Sequence, residues 1–227
     1  MLLAGCQSLE MTPENVAQVR VIAASPDVPA MDFYAGSSAL AYGVEFGSAS
    51  SYVPLSAASV VHLSANTANS AQKLVRQKAS FAAGLHYTAV VTHVAADLQE
   101  AVYTDQTQPA PAGKIDLRII DASTRSGGVD LYLVPAESTL ATTLPVRAGL
   151  ALGASTGYME YAAGTYSLVV TAAGTVPSSS PATLLTGPQV TYGSGAVRTI
   201  VLVDKAAGPA QPGIDEIVAD DYVPNQG

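Results

Sequence analysis

The segment VRVIAAS (Val19–Ser25) recurs later in the chain as LRIIDAS (Leu117–Ser123), and this recurrence decides the fold. An Asp-x-Tyr pattern follows each segment at the same offset of 98 residues. Three more matches come in the same order, at offsets of 106, 111 and 116 residues: GSASSY with GASTGY, GLHYTAVV with GAVRTIVL, and EAVYTD with EIVADD. The offset grows only in steps, as it does when loops lengthen while strands are kept. We therefore predict two copies of one structural unit.

Each copy is predicted to consist of strands. Apolar and polar residues alternate in short segments that are rich in β-branched residues and bounded by Gly, Pro, Ser or Asn. Helix is disfavoured where interior glycines occur, because each costs about 1 kcal/mol in a helix. We predict an all-β fold of two tandem immunoglobulin-like Greek-key β-sandwich domains with about seven strands each. The predicted division is 1–15 lipobox remnant and linker, 16–105 first repeat, 106–113 Pro-rich linker, 114–222 second repeat and 223–227 tail.

Composition narrows the classes of function. The chain has 227 residues, of which 48% are hydrophobic and 12% charged, so it is predicted to be globular rather than disordered. Its formal net charge is −8, from 10 Lys+Arg against 18 Asp+Glu. Because the basic residues are few and are expected to be scattered, nucleic acid is not an expected partner. No run of 18 apolar residues is present to span a bilayer as a helix.

The single cysteine lies near the start of the chain, in MLLAGC. Leu3–Cys6 resembles a bacterial lipobox, and a polar segment follows it. We predict lipidation of Cys6, with the membrane as a partner through that lipid. Because Gln7 rather than Asp follows the cysteine, the expected location is the outer membrane, facing the periplasm or the exterior. The basic region and most of the apolar region of a signal peptide are missing. The alternative is a leader with an incidental thiol.

The stretch ASPDVPAMDFY (Ala24–Tyr34) is predicted to be a turn that leads into a strand. Its prolines preset the turn, and Asp27 is expected to accept hydrogen bonds from backbone amides there. Alternation points Met31 and Phe33 one way and Asp32 the other. The alternative role of Asp27 and Asp32 is to bind a ligand or a metal such as calcium, which prefers carboxylate oxygens.

The search for catalytic groups ends without a candidate set. The three histidines, His62, His86 and His93, all lie in the first copy and have no counterparts in the second. No G-x-S-x-G, P-loop or dinucleotide-binding pattern occurs. We expect no catalytic residues, no metal site and no cofactor, and predict that the protein is not an enzyme. A metal-dependent hydrolase built on the histidines and nearby acids is a less favoured alternative.

Two longer segments carry a resemblance to a known family. VRVIAASPDVPAMDFYAG resembles VRVIHASPDAPAVDVYVDG, the signature of the bacterial domain-of-unknown-function family 4397. GYMEYAAGTYSLVVTAAGT resembles the same family's later strand pair. The resemblance covers Val16 to Asp105 and Lys114 to Asp221. It implies exported or surface proteins that are often lipoproteins, tandem copies and a β-sandwich fold. No activity is established for the family, so it implies no catalytic residues. Ala23 stands here where the family often has histidine.

These observations predict a non-enzymatic envelope lipoprotein that acts as a binding or scaffolding module of unknown molecular function. The alternative is a cell-surface adhesin that binds carbohydrate or peptide. The expected partner besides the membrane is therefore a protein or a glycan. Tyrosine supplies amphipathic contact area. Among the eleven tyrosines, those without a match in the other copy are the better candidates for recognition: Tyr42, Tyr192 and Tyr222.

Overall fold

The structure is a computed structural model that describes residues 15–175, 183–205 and 213–223. These residues form sixteen β-strands, eight in each half of the chain. The first half contains β1 (Val16–Ala23), β2 (Met31–Ala35), β3 (Ser38–Val44), β4 (Val53–Ser56), β5 (Ala58–Thr67), β6 (Lys73–Phe81), β7 (His86–Thr92) and β8 (Gln99–Asp105). The second half contains β9 (Lys114–Asp121), β10 (Val129–Pro135), β11 (Arg147–Leu150), β12 (Ser155–Ala162), β13 (Gly164–Ala172), β14 (Thr183–Tyr192), β15 (Val197–Asp204) and β16 (Ile214–Tyr222).

Both halves have the same strand order. The first half consists of the sheets β4-β1-β7-β8 and β3-β2-β5-β6, and the second of β12-β9-β15-β16 and β11-β10-β13-β14. The pairs β1–β7 and β9–β15 are parallel, and the other pairs are antiparallel. Lettered A to H within each half, the sheets are DAGH and CBEF, whereas a constant-type immunoglobulin domain has ABED and CFG. The prediction of an all-β fold built from sandwiches is confirmed, with eight strands in each half rather than about seven.

Two strands of the first half were not expected from the sequence pattern. In β3 the alternation is broken by Gly43, which has a positive φ of 60°. The other, β4, has only four residues and pairs along the edge of its sheet with β1. Both are therefore too irregular or too short to show a period of two.

Each sandwich has its own core, and a further core joins the two. Met31, Phe33 and Leu63 belong to the core of the first sandwich, and Leu131 and Leu168 to that of the second. The joining core contains residues from both halves: Ile22, Ala24, Val90, Ile120, Ala122, Val201, Val203, Ile217 and Ala219. The sheets that contain β1 and β9 therefore pack against each other on the faces that they turn away from their own sandwiches.

This packing explains the apolar runs at the centre of each half. The last six of the seven residues of β7 are buried, as are the last seven of the eight residues of β9, and β1 ends with five buried residues. A strand covered on both faces reads as a nearly continuous apolar run rather than an alternating one. Strict alternation therefore describes the strands with one open face, such as β6, and not the central strands.

Arg20 crosses the interface between the halves. Its Nε donates to the hydroxyl of Thr88 over 2.8 Å, and its Nη1 donates to the carbonyl of Asp220 over 2.9 Å. Its Nη2 forms an ion pair with the buried carboxylate of Asp221. The guanidinium carbon lies 4.8 Å from the ring centroid of Tyr52. A side chain of the first half is thus held by backbone and carboxylate of the last strand.

Arg118 makes the same contacts in the opposite direction. Its Nε donates to Thr199 over 3.0 Å and its Nη1 to the carbonyl of Thr104 over 3.0 Å. Its Nη2 pairs with the buried carboxylate of Asp105. Its guanidinium carbon lies 4.7 Å from the ring centroid of Tyr158. The two arginines therefore exchange partners between the halves, as across a twofold axis.

The carboxylates close the network. Asp105 also accepts from the hydroxyls of Tyr52 and Thr88, each over 2.7 Å. Asp221 accepts from Tyr158 over 2.8 Å and from its own half's threonine over 2.7 Å. Burial is the largest influence on the carboxyl of Asp221 and raises its pKa, while the charge of the facing guanidinium lowers it. Because every member is hydrogen-bonded, the network holds two buried charges of each sign.

The segment between the halves is held against them. The amide of Gln106 donates to the hydroxyl of Tyr158 over 3.2 Å, and its side-chain Nε2 donates to Asp116 over 2.6 Å. The amide of Ala110 donates to the carbonyl of Gly195 over 3.1 Å. These bonds fix a connection that the two prolines predict to be extended.

Candidate functional site

The outer sheet of the first sandwich carries an open polar cavity. It lies on the side of β2, β5 and β6 that faces away from the core, and we call it the first outer face. The cavity has a volume of about 450 Å³. It is lined by Tyr34, Gly36, Ser37, His62, Ser64, Asn66, Lys73 and Arg76.

Strand alternation builds this face from a short stretch of β5. Leu63 and Ala65 point into the core of the first sandwich and are fully buried. His62, Ser64 and Asn66 alternate with these two residues along β5, so their side chains point to the outer side of the sheet. The sequence HLSAN thus places three hydrogen-bonding side chains in a row along one strand.

Strand register sets their neighbours. Tyr34 of β2 lies opposite Ser64, and Ser64 lies opposite Arg76 of β6. Asn66 lies opposite Lys73, next to a register shift in β6. Cross-strand neighbours on one face have Cβ atoms about 4.5–5.5 Å apart. A row of aromatic, hydroxyl and guanidinium groups therefore crosses three strands.

An aromatic pair borders the row. The rings of Tyr34 and Tyr42 meet edge to face, with centroids 6.0 Å apart. Tyr42 is 68% exposed. The turn between β2 and β3 has only two residues, with Gly36 at a positive φ of 61°, so no loop covers the rings. The pair offers an exposed aromatic edge beside the polar cavity.

The first outer face is positively charged, although the chain as a whole is acidic. Lys73, Arg76 and Lys78 all lie on β6, and none of them forms an ion pair with a described residue. The expectation that basic residues are scattered does not hold on this strand. Partial burial lowers the pKa of His62, and the three cations lower it further. His62 is therefore neutral at pH 7, with one ring nitrogen able to accept and one able to donate.

One acceptor on this face lacks a partner. Asn66 is 9% exposed, and its Oδ1 is buried without a hydrogen bond from any described residue. Buried polar atoms are rarely left unpaired, because desolvation without a hydrogen bond is unfavourable. Since Asn66 also lines the cavity, its amide is the group on this face that gains most from a ligand with a hydroxyl or amine donor.

The corresponding face of the second sandwich is partly covered by a loop, which leaves a smaller cavity of about 250 Å³ between Leu140 and the sheet. Eleven residues connect β10 to β11, where two connect β2 to β3, and they include a 3₁₀ turn at Leu140–Thr142. Leu140 packs on Tyr132, Val134 and Val169, and Tyr132 is only 3% exposed. The position of Ser64 is taken there by Val169, opposite Tyr132. The positions of Tyr34 and Ser64 are thus taken in the second half by a buried tyrosine and an apolar valine.

The predicted site residue Asp32 is bound to backbone on both carboxylate oxygens. Oδ1 accepts from the amide of Gly43 over 2.8 Å, and Oδ2 accepts from the amide of Asn69 over 2.9 Å. Asp130 does the same in the second half, accepting from Gly149 over 2.7 Å and Gly174 over 2.8 Å. Each aspartate thus connects a positive-φ glycine of the neighbouring strand to a turn.

The other predicted site residue of this stretch, Asp27, is exposed and holds a different loop. Its Oδ1 accepts from the amide of Ala95 over 2.9 Å and from the hydroxyl of Ser25 over 3.4 Å. Asp27 and Asp32 thus bind separate backbone segments. Met31 and Phe33 lie in the core, as alternation predicts.

The three histidines lie at separate places. His62 is on the first outer face, and His86 stacks near Tyr52, with centroids 4.9 Å apart. His93 follows β7 with a positive φ of 69°, and its Nδ1 lies 2.8 Å from the hydroxyl of Thr92. Among the described residues, no group of three or more His, Cys, Asp or Glu side chains is placed to hold a metal ion.

Two expectations concern other parts of the molecule. Cys6 lies outside the described residues. No helix in residues 15–175, 183–205 and 213–223 has the length and apolar character to cross a membrane. Of the unmatched tyrosines, Tyr42 is exposed, whereas Tyr192 is buried at 6% exposure in the second core.

The residues missed from the sequence are those of the arginine network and of the cationic strand. Arg20 and Arg118 stand at the offset of the first repeated segment, and Asp105 and Asp221 at that of the last. For the arginine network, the available signal was the repetition of polar residues at matched places in otherwise apolar strands. For the cations of β6, the available signal was the sequence KLVRQK (73–78).

Comparison with known proteins places the chain in a family. The profile of the domain of unknown function DUF4397 matches residues 17–132, about half of the chain. The chain belongs to this family. The match of the DUF4397 profile begins in β1 and ends in β10, so it includes the signature segment recognised in the sequence and the strands around the first outer face.

Other comparisons add little to the DUF4397 assignment. No curated protein matches the chain. Solved structures with some likeness are the family CBM26 module CBMbc from Eubacterium rectale Amy13K in complex with maltoheptaose (9% identity, 92% of this chain and 98% of that one, TM-score 0.27) and the Bacillus anthracis TIE protein (10%, 91% and 44%, 0.26). A third is the pneumococcal glycogen-degrading virulence factor SpuA (9%, 86% and 21%, 0.26). Likeness at these scores defines neither a fold family nor a ligand.

Proposed function

We propose that this protein is a non-enzymatic binding module of the bacterial cell envelope that holds a glycan on the first outer face. The observation that carries the proposal is the open cavity of about 450 Å³, where an aromatic pair lies beside a row of hydrogen-bonding side chains. Binding sites combine apolar contact area with a few placed polar groups. A pyranose ring has an apolar C–H face and a rim of hydroxyls, which suits both parts of this surface.

The difference between the two outer faces supports the choice of site. The cavity of the first outer face has a volume of about 450 Å³ and that of the second about 250 Å³, because Leu140 covers Tyr132 and Val169 there. The second sandwich, whose outer face is occupied by Leu140, then acts as a support that the arginine network joins rigidly to the first.

The proposal includes two tandem copies of the DUF4397 domain. Support comes from the shared strand order, from the matched aspartates Asp32 and Asp130, and from the exchange of partners between Arg20 and Arg118. A duplicated gene for a module that first paired with a second copy of itself gives this reciprocal arrangement.

Anchoring through a lipid on Cys6, in the outer membrane, is the remaining part of the proposal. It is supported by the lipobox-like Leu3–Cys6 segment. Expression of the full-length gene with radiolabelled palmitate tests it. Label incorporation that disappears in Cys6→Ser, together with a globomycin-sensitive shift in mobility, is the expected result. An unlabelled protein that is released in soluble form with or without Cys6 contradicts it.

A glycan array followed by calorimetry on the hits tests the binding role. We expect Tyr42→Ala to weaken binding about tenfold, or about 1.4 kcal/mol, because an exposed aromatic side chain at a binding face contributes much of the contact. Leu144→Ala is the matched control, since Leu144 is 84% exposed on the second sandwich. An array on which no glycan binds, or equal affinity of both variants, refutes the proposal.

A further inference from the structure

The charge of the first outer face narrows the class of ligand. Three of the ten Lys and Arg residues of the chain lie within six positions on β6. Five other basic residues form ion pairs within the described structure: Arg20, Lys114, Arg118, Arg125 and Arg198. The cations of β6 have no such partner. A protein with a net charge of −8 thus presents a local excess of unpaired positive charge at the cavity beside the tyrosine pair.

The neighbouring acid does not neutralise this charge. Asp32 lies on β2, on the same side of the sheet, but its two oxygens are directed to the amides of Gly43 and Asn69. Between that carboxylate and the cations lie the uncharged side chains of Ser64 and Asn66. The cationic groups are therefore free to meet a charge brought by a ligand.

The arrangement of the groups suits a carboxylate attached to a sugar ring. Arg76 lies opposite Ser64 and two strands from Tyr34, so a ring placed against the tyrosine pair directs a substituent across β5 toward the guanidinium. A guanidinium pairs with a carboxylate through two parallel hydrogen bonds. The unpaired Oδ1 of Asn66 accepts from a hydroxyl of the same ring.

Building on the proposed function, we infer that the first outer face binds an acidic polysaccharide through its carboxylates, with Arg76 as the pairing residue and Lys73 and Lys78 as flanking charges. The second sandwich provides an internal comparison. Its strand β14, in the place of β6, has the sequence TLLTGPQVTY and carries no Lys or Arg. The cations of β6 on the first outer face thus have no counterparts on β14 of the second sandwich.

Calorimetry on the full chain tests the inference with two matched probes, a galacturonate hexamer and the same hexamer with every carboxylate methyl-esterified. We expect the acid to bind at least about tenfold more tightly than the ester, because the ester keeps the ring and loses the charge. Binding of the acid should weaken as salt is raised, as it does for exposed charges. A thymidine oligonucleotide, which has more charge and no sugar carboxylate, should bind less tightly than the acid.

Charge variants locate the contact. Arg76→Gln should weaken binding of the acid at least about tenfold while leaving the ester unchanged, since it removes a bidentate pair. Arg147→Gln is the control, because Arg147 is exposed and carries the same charge on the second sandwich. Lys78→Gln should have a smaller effect, with Lys205→Gln as its control. Circular dichroism of each variant establishes that it is folded.

The outcomes separate this inference from the proposed function. Equal affinity for acid and ester, or an unchanged affinity in Arg76→Gln, overturns the acidic class and leaves glycan binding standing. Tighter binding of the oligonucleotide overturns the inference as well, because charge alone then decides. If neither hexamer binds while the array identifies a neutral glycan, the inference fails and the proposed function holds. If neither hexamer binds and no glycan on the array binds, both the inference and the proposed function are refuted.

Discussion

Replacing Arg118 by Met tests whether the buried network holds the two halves together. The change removes four donated hydrogen bonds and leaves the carboxylate of Asp105, whose side chain is fully buried, without its countercharge. Breaking a buried ion pair by removing one partner costs about 3–5 kcal/mol. For a chain of this size, about 2–4 °C of Tm is lost per kcal/mol, so the Tm should fall by about 6–20 °C.

Urea denaturation followed by circular dichroism measures the free energy of unfolding, and Lys114→Met is the control. Lys114 forms an ion pair with Glu160 over 3.3 Å, but both side chains are nearly half exposed. Exposed pairs contribute about 0–1 kcal/mol. If Arg118→Met destabilises the protein no more than Lys114→Met, the argument from burial is refuted. Arg20→Met should match Arg118→Met within about 1 kcal/mol, because Arg20 binds the matching threonine, carbonyl and carboxylate of the other half.

Two further predictions concern buried carboxyl groups. Burial raises the pKa of Glu100 from its ordinary 4.5 to about 8, so the folded protein keeps a proton that the unfolded chain releases, and stability falls as the pH rises from 4.5 to 8. Glu100→Gln should flatten this decline by at most about 5 kcal/mol in urea titrations across that range; a parallel decline in both proteins contradicts the assignment. Asp32→Ala should cost about 3 kcal/mol, since two amides lose a charged acceptor, and added calcium should leave the Tm of the wild-type protein unchanged. A calcium-induced rise in Tm that is absent in Asp32→Ala indicates the metal role instead.

The strands follow from the sequence where one face is open. In β2 and β5 the alternation places Phe33 and Leu63 in the core and Asp32 and Ser64 outside, because successive side chains point to opposite faces. That Asp32 points away from the core was also predictable, since it alternates with Met31 and Phe33. Neither inference depends on which sheets pack together.

The joining core and the arginine network were not predictable in the same way. Arg20 in VRVIAAS looks like the exposed member of an alternating strand, yet it is 3% exposed. Its burial depends on Asp221, which lies 201 residues away and reaches it only because the last strand of the second half packs on the first half. The matched offsets indicated that Arg20 corresponds to Arg118 and Asp105 to Asp221. They did not indicate that each arginine pairs with the aspartate of the other half.

The open cavity, like the arginine network, could be predicted only in part from the sequence. The sequence indicated that Tyr42 has no counterpart and is a candidate for recognition, and it is exposed. That His62 and Arg76 lie on the same face depends on the pairing of β5 with β6, and that Tyr132 and Val169 are covered in the second half depends on where Leu140 folds.

By itself, the sequence determined the all-strand class and the direction of side chains along each strand, because these depend on local backbone geometry and on residues near one another in the chain. Only the tertiary structure decided which faces are covered, which charges are paired and where a cavity stays open. These depend on contacts between strands that lie far apart in the chain, and a periodic pattern gives the face a residue is on without giving what that face meets.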